Sequence, residues 1–454
     1  MLMSALREEG DKITDSDALL ALYQASYLAF PGDTVLDQAR AFAVGKLAAR
    51  DDSDLCTHLS STLPLHWRAP RLQAMWSLIK DDDHNNKVAV DPAILQLAQV
   101  DFNLVQALHR RELAEVTTWW KESRLGEYSF ARDRVVECFF CAACIAPEPR
   151  LAECREVLAK TGALIVHLDD IYDVYGTPDE LQAFTDAIAS WEHCDDGSAV
   201  VMDMALPEYM KAMYSAIWTT SATAADRVLN KHGYDMLPLY KKAWHELCKA
   251  FLVEAQWQQQ GHMPSFAEYV SNGWVASTGP LLLLHALPAA VAIPPITQAN
   301  GDGGNGAGGG IDYPRLVELS STIFRLCNDC ASHEAELERG DAPSSIACCM
   351  AEPGCAGEEQ ARATVQGVIA ETWKALNWEV VAAASGSGGN DPCCSSSSSS
   401  SATETTESMT SMANLCLNLA RIVHCIYQDG DGITSPTHRM KQMVKDLLFN
   451  PIHH

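Results

Sequence analysis

Apolar residues recur every three to four positions through most of the chain, and strict apolar–polar alternation is scarce. Gln96 to Val105 carries Leu97, Val100, Leu104 and Val105 at helical spacing, and Leu237 to Leu252 repeats the pattern. A 3.6-residue period gathers such positions on one face of a helix. Strand-and-turn signatures at regular intervals are missing, so the pattern predicts an all-α fold. Two stretches interrupt it: Gly301 to Gly310 is mostly glycine, and Ser385 to Ser408 contains a run of seven serines. Both lack apolar content and are expected as disordered surface insertions, which a helical core tolerates because closure entropy grows slowly with loop length. The polar break Asp81 to Lys87 marks an expected boundary between a short N-terminal region, residues 1–90, and a large helical domain, residues 91–454.

The chain has 454 residues and is 47% hydrophobic, enough for a large core. No apolar run is long enough to span a membrane. A formal net charge of −26 excludes nucleic-acid binding, which needs basic patches. The same charge makes an anionic substrate awkward unless metal ions or arginines invert the field locally. Sixteen cysteines include two CxxC spacings, Cys141/Cys144 and Cys327/Cys330, but neither continues into a zinc ligand set. Buried free thiols in a reducing compartment are the expectation. The start, Met1 to Arg7, shows neither a secretory design nor an obvious transit peptide.

The most informative segment is Leu168-Asp169-Asp170-Ile171-Tyr172-Asp173. Its three carboxylates fall at i, i+1 and i+4 in an apolar run, so Asp169 and Asp173 share a helix face with Asp170 beside them. Burying three negative charges costs several kcal/mol each unless a cation neutralises them. A hard divalent metal with oxygen ligands is the economical solution, and Mg²⁺ takes one or two carboxylates plus substrate phosphates. The competing reading is a solvated acidic face. A second stripe, Asn328, Ser332 and Glu336 at i, i+4 and i+8, offers amide, hydroxyl and carboxylate oxygens for another Mg²⁺. Arg132 and Arg134, with Arg325 one turn before Asn328, supply guanidinium forks that match phosphate oxygens.

This combination resembles the plant terpene synthases of the metal-dependent ionising type. Asp169-Asp170-Ile171-Tyr172-Asp173 is similar to their aspartate-rich motif, Asn328/Ser332/Glu336 to their second metal motif, and Arg132-Asp133-Arg134 to their arginine motif. Trp119-Trp120-Lys121, Leu206-Pro207-Glu208-Tyr209-Met210, Arg339-Gly340-Asp341 and Asn418-Leu419-Ala420-Arg421 agree, from about Ala18 to Ile452. The resemblance implies a helical catalytic domain with a deep apolar cavity. Residues 1–90 would be the remnant of a truncated N-terminal helical domain.

The implied chemistry is Mg²⁺-assisted ionisation of a prenyl diphosphate, with Mn²⁺ as a possible substitute. Asp169, Asp170, Asp173, Asn328, Ser332 and Glu336 would hold metal. Arg132, Arg134 and Arg325 would take up charge developing on the leaving diphosphate. By the same resemblance Tyr427 and Asp431 belong to a segment that closes over the site; a Gly-Asp turn between helices is the alternative. Trp274 to Pro280 is similar to a broken helix lining the cavity. Cys141 stands where the family commonly has a wall tryptophan, which implies less cation–π support and a wider pocket.

The phrasing is closest to angiosperm monoterpene synthases, so geranyl diphosphate is the expected substrate and a monoterpene olefin or alcohol the product. The alternatives are a sesquiterpene synthase using farnesyl diphosphate, a chain-elongating prenyltransferase, and a catalytically impaired relative. A monomer located in the plastid, or in the cytosol, is implied by the same resemblance.

Overall fold

The computed structural model describes residues 15–48, 63–82, 91–191, 205–291, 297–298, 310–385 and 399–452. These residues form an all-α protein. The helices are α1 (Ser16–Ser26), α2 (Thr34–Ala48), α3 (Pro70–Asp82), α4 (Pro92–Ser123), α5 (Val135–Ile145), α6 (Ala152–Asp170), α7 (Pro178–Ser190) and α8 (Glu208–His232). They continue with α9 (Leu237–Gln260), α10 (Phe266–Ala276), α11 (Gly279–Ala290), α12 (Arg315–Arg339), α13 (Ser345–Ala351), α14 (Glu358–Ala384), α15 (Ser399–Tyr427) and α16 (His438–Leu448). One antiparallel pair of two-residue strands, Thr297–Gln298 and Ile311–Asp312, precedes α12. Among the described residues no helix is long and apolar enough to cross a membrane.

Local chemistry sets the helix ends. Asp91 caps α4 by accepting from the Ala93 amide, and Pro92 occupies the first turn, where its missing N–H costs nothing. Thr177/Glu180 and Ser265/Glu268 form reciprocal capping boxes at the starts of α7 and α10. Gly233 ends α8 at φ 80°, a left-handed conformation that favours glycine.

Helices α5, α6, α11, α12 and α15 surround the centre: α5 packs on α6, α11 on α6 and α12, and α15 on α12 and α5. Arg155 of α6 is fully buried; its Nε and Nη2 donate to the Glu112 carboxylate of α4 at 2.7 and 2.8 Å, and its remaining donors meet the carbonyls of Ala146, Glu148 and Pro149. A buried guanidinium is tolerable because every donor has an acceptor. The N-terminal elements dock on α14, where Asn377 donates to the carbonyls of Tyr27 and Ala29 and Trp67 stacks on Trp373. Leu72 and Met75 of α3 are buried in the same core as the later helices.

The twelve cysteines described are free thiols, most of them buried. One expectation needs correction. The serine-rich stretch is not a loop through to Ser408, because α15 starts at Ser399. Its downstream face buries Met412, Leu415, Leu419 and Ile422. Once that amphipathic part is helical, adding turns upstream costs little, so serines and threonines join it. The rest of that stretch, 386–398, lies outside the described residues, as do 301–309 and 83–87.

Candidate active site

The aspartate segment does not continue as a regular helix. After Asp170 the backbone widens into a π-helical turn, Ile171–Tyr175, closed by the Gly176 amide donating to the Ile171 carbonyl at 2.8 Å. Gly176 permits this: a Cβ there would stand 2.6 Å from Leu181 Cδ2 and 2.9 Å from the Ile171 carbonyl oxygen. Such single-turn insertions gather at functional sites. The turn is fixed from outside, where Tyr175 stacks on Phe130 with ring centroids 4.0 Å apart.

The three aspartates then differ. Asp170 is buried and committed to Arg132: it accepts from the Arg132 backbone amide at 2.6 Å and pairs with Nε at 2.7 Å. The expected metal ligand is therefore engaged by the protein at both oxygens. Asp169 pairs with Arg132 Nη2 at 2.6 Å and lines the cavity. Asp173 is exposed on the π turn. Burial raises the Asp169 carboxyl above its usual range, and the neighbouring Asp170 adds to that. The Asp173 carboxyl is raised further: protein atoms around it remove part of its hydration although it stays exposed, and Asp169 and Glu254 add repulsion.

Helix α12 brings the second stripe opposite. Asn328 and Tyr427 both line the cavity. Ser332 is buried and donates to the Asn328 carbonyl at 2.9 Å. Glu336 lies one turn beyond Ser332 and faces an adjoining pocket with Trp257, His333 and Asp341. Its carboxyl is pushed up to about 7, by burial first and then by Asp329. Arg325 donates to Glu254 at 2.6 Å and to the Tyr269 hydroxyl at 2.7 Å; Tyr269 in turn donates to Asp329. Burial opposes the Arg325 charge, but Glu254, Tyr269 and Asp329 outweigh it and hold the guanidinium strongly protonated.

The two arginines of the Arg132-Asp133-Arg134 segment part company. Arg132 lines the cavity, bridging Asp169, Asp170 and the Thr434 hydroxyl. Arg134 does not line the cavity. Its donors go to the carbonyls of Ile433 at 2.7 Å, Thr434 at 3.0 Å and its own neighbour Asp133, so it fastens the loop after α15 rather than reaching the expected diphosphate position. Asp431 supports the same loop, accepting from the amides of Ile433 and Thr434. Tyr427 lines the cavity; Asp431 does not.

The cavity encloses about 170 Å³ of free space, polar at one end and apolar below. Arg132, Asp169, Arg325, Asn328, Tyr427 and Thr434 form the polar end, and residues of α5, α6 and α15 such as Ile145, Leu158 and Leu419 form the wall. Ala276, Ser277 and Thr278 line it at the break between α10 and α11. The broken helix expected over Trp274 to Pro280 is present as a full interruption, with Thr278 at φ 74°. Gly279 allows α11 to approach α12, since a Cβ there would meet Ser321 Oγ.

Sequence reasoning missed Glu254, Tyr269 and Asp329. All three are buried around Arg325. A carboxylate between buried Phe251 and Ala255 of α9 was the available signal for Glu254. The donor set fits a hard dication: carboxylate, amide and hydroxyl oxygens, with several carboxyls raised by burial and then by neighbouring carboxylates, a cost that a cation would relieve. Among the described residues, no three histidine, cysteine, aspartate or glutamate side chains converge closely enough to hold a metal unaided. A metal here therefore draws part of its shell from water and phosphate oxygens, as Mg²⁺ commonly does.

Residues 121–375 match the metal-binding domain of the terpene synthase family. A chloroplastic monoterpene synthase of Cananga odorata is 37% identical over 451 residues, covering 96% of this chain and 69% of that protein. The solved structure of isoprene synthase from grey poplar (Populus x canescens), in complex with three Mg²⁺ ions and dimethylallyl-S-thiolodiphosphate, superposes with a TM-score of 0.79 at 35% identity, covering 96% of this chain and 77% of that one. Limonene synthase with 2-fluorolinalyl diphosphate gives a TM-score of 0.79 at 31% identity, covering 96% and 75%.

Proposed function

The chain belongs to the terpene synthase family, and from that premise we propose that it ionises geranyl diphosphate and releases a monoterpene and diphosphate. The observation that carries this reading is one apolar cavity with a rim of oxygen donors and two arginines, Arg132 and Arg325. The similarity to a monoterpene synthase and to structures holding prenyl diphosphate analogues supports the substrate class.

In this reading Asp169 and Asp173 on one side, and Asn328, Ser332 and Glu336 on the other, hold Mg²⁺, with Mn²⁺ as substitute. Bound there, the metal supplies Lewis-acid withdrawal of charge from the leaving group. Asp170 acts through Arg132, which it orients by two contacts. When the C1–O bond breaks, the electron pair leaves with diphosphate, and Arg132 and Arg325 meet the new charge. Arg134 and Asp431 keep the loop bearing Thr434 against the rim, and Tyr427 closes the cavity beside Asn328. The alkyl wall keeps water from the cation. The departed diphosphate is the base that takes the final proton.

Residues 1–90 are read as belonging to the family's N-terminal helical domain. The protein acts as a monomer in the plastid, a placement supported by the chloroplastic relative. The test is incubation with Mg²⁺ and either geranyl or farnesyl diphosphate, followed by mass spectrometry of volatiles. A ten-carbon product from geranyl diphosphate is expected. Turnover of farnesyl diphosphate alone would make it a sesquiterpene synthase, and no turnover of either by folded protein would refute the enzymatic reading.

A further inference from the structure

Outside the cavity lies a group of rings that the proposed chemistry does not use. His424 of α15 stands one turn before Tyr427 and is half-buried against Trp67, Trp373 and Cys327. Desolvation pushes its imidazole down to about 3 from 6.5, so the ring is neutral, with one donor and one acceptor. The partners fix which nitrogen is which. Trp373 Nε1 lies 2.8 Å from His424 Nε2, and an indole N–H can only donate, so Nε2 accepts. The proton therefore sits on Nδ1, which donates to Cys327 Sγ at 3.6 Å. Trp67, from the turn Leu65–Trp67, covers both rings: it stacks on His424 at 4.6 Å and on Trp373 at 5.3 Å. Its own N–H has no partner among the described residues, so its contribution is the ring face. That turn is itself tied down, with Arg421 donating to the His66 carbonyl at 2.9 Å and His66 Nε2 to Asn377 at 2.7 Å.

The two helices joined here both supply the cavity. Cys327 immediately precedes Asn328 on α12, and Val423, Ile426 and Tyr427 of α15 line the cavity with Asn328. Phe324 and Tyr427 meet where they line it, with ring centroids 6.2 Å apart, and Cys327 and His424, which do not line it, meet outside. We propose that His424 is a positioning residue: it links Trp373 of α14 to Cys327 of α12 and so sets where Asn328 stands against α15. The inference rests on the reading of Asn328 as a Mg²⁺ ligand. Mg²⁺ demands near-ideal octahedral geometry at about 2.0–2.1 Å, so a small displacement of one ligand weakens the site. A thiol is a weak acceptor, so the link orients more than it stabilises. Trp67 holds the imidazole plane from the N-terminal side, which couples residues 65–67 to the metal stripe.

The experiment is calorimetric titration of the full chain with inorganic diphosphate in excess Mg²⁺, below every variant's melting transition, with kcat/KM for geranyl diphosphate measured beside it. His424→Leu removes both contacts and should weaken binding about 2- to 10-fold, the net worth of one hydrogen bond at tenfold per 1.36 kcal/mol. His424→Gln should restore it, because the amide oxygen can accept from Trp373 and the amide N–H can donate to Cys327. Rescue by Gln separates positioning from ring packing. Cys327→Ala keeps the Trp373 bond, serves where His424→Leu does not fold, and should weaken binding to a similar degree. Trp67→Leu should weaken it less, and kcat/KM should follow the same order. Wild-type affinity in His424→Leu and Cys327→Ala, or a loss in His424→Gln as large as in His424→Leu, would overturn the inference. The graded series in binding without turnover by the wild type would uphold it and refute the enzymatic reading. Failure of folded wild-type protein to bind diphosphate with Mg²⁺ would sink both.

Discussion

The buried Arg155 and the half-buried Arg132 and Arg325 keep opposite company. Arg155 holds one carboxylate, Glu112, and three backbone carbonyls, so the charges cancel and the donors are used. Around Arg325 and Arg132 stand Asp169, Asp170, Asp173, Glu254, Asp329 and Glu336, more carboxylates than the two guanidiniums can neutralise. The carboxyls at Asp169, Asp173, Glu254 and Glu336 are raised, a sign that negative charge is costly where they sit. A structural ion pair is closed; a site built for metal and diphosphate keeps an imbalance that the ligands complete. The alkyl cavity beside the second cluster turns that imbalance into chemistry.

The largest expected effect is on the open cluster. Asp169→Ala should cut turnover by about 10²–10³-fold or more, the scale of losing a main electrostatic contributor, while the melting temperature holds. Unchanged turnover would remove Asp169 from the metal assignment. The closed pair should respond in reverse. Glu112→Ala leaves Arg155 buried without its carboxylate and should cost about 3–5 kcal/mol of stability by urea unfolding. At low temperature the fraction that remains folded should turn over normally. A loss of rate without a loss of stability would erase the contrast between Arg155 and the two cavity arginines.

Acid sharpens the closed region further. His109 is buried, and burial, then Arg155 and Arg71, push it down to about 3 from 6.5. It is therefore neutral when folded, and the unfolded chain binds the extra proton between those values. Stability from this group is complete above about pH 6.5 and declines as pH falls toward 3. Thermal melts from pH 7 to 4 should show falling midpoints, and His109→Phe should flatten the slope. A slope identical to wild type would contradict the neutral histidine.

Arg134 gives the smallest expected change. Arg134→Ala removes charge-assisted bonds to Ile433 and Thr434, each worth roughly 1.5–3 kcal/mol, but the loop keeps Asp431. A decline of about tenfold in kcat/KM is expected, since 1.36 kcal/mol is tenfold. A loss as large as that of Asp169→Ala would return Arg134 to the diphosphate.

The sequence reveals what is local. Asp169 and Asp173, or Asn328, Ser332 and Glu336, are separated by single turns, so spacing alone aligns them. The all-α class follows equally from short-range periodicity. Contacts across the chain are a different matter. Arg132 and Arg134 are two residues apart, and both reach the loop after α15 roughly 300 residues on, but only Arg132 also pairs with Asp169, 37 residues away, at the cavity. Asp170 could be read as a ligand because its engagement with the Arg132 amide is a tertiary fact. Glu254 and Tyr269 reach Arg325 from separate helices, and nothing in their own segments announces it. The helical start at Ser399 was hidden because composition argued for a loop, while packing further along α15 overrode it.

The most direct test of the central claim is diphosphate release from geranyl diphosphate by folded wild-type protein, measured with Mg²⁺ and again after chelation. The account predicts release together with a volatile ten-carbon product when Mg²⁺ is present, loss of both on chelation, and recovery when the metal is returned. Release that continues undiminished without divalent metal, or none from folded protein in its presence, would contradict it.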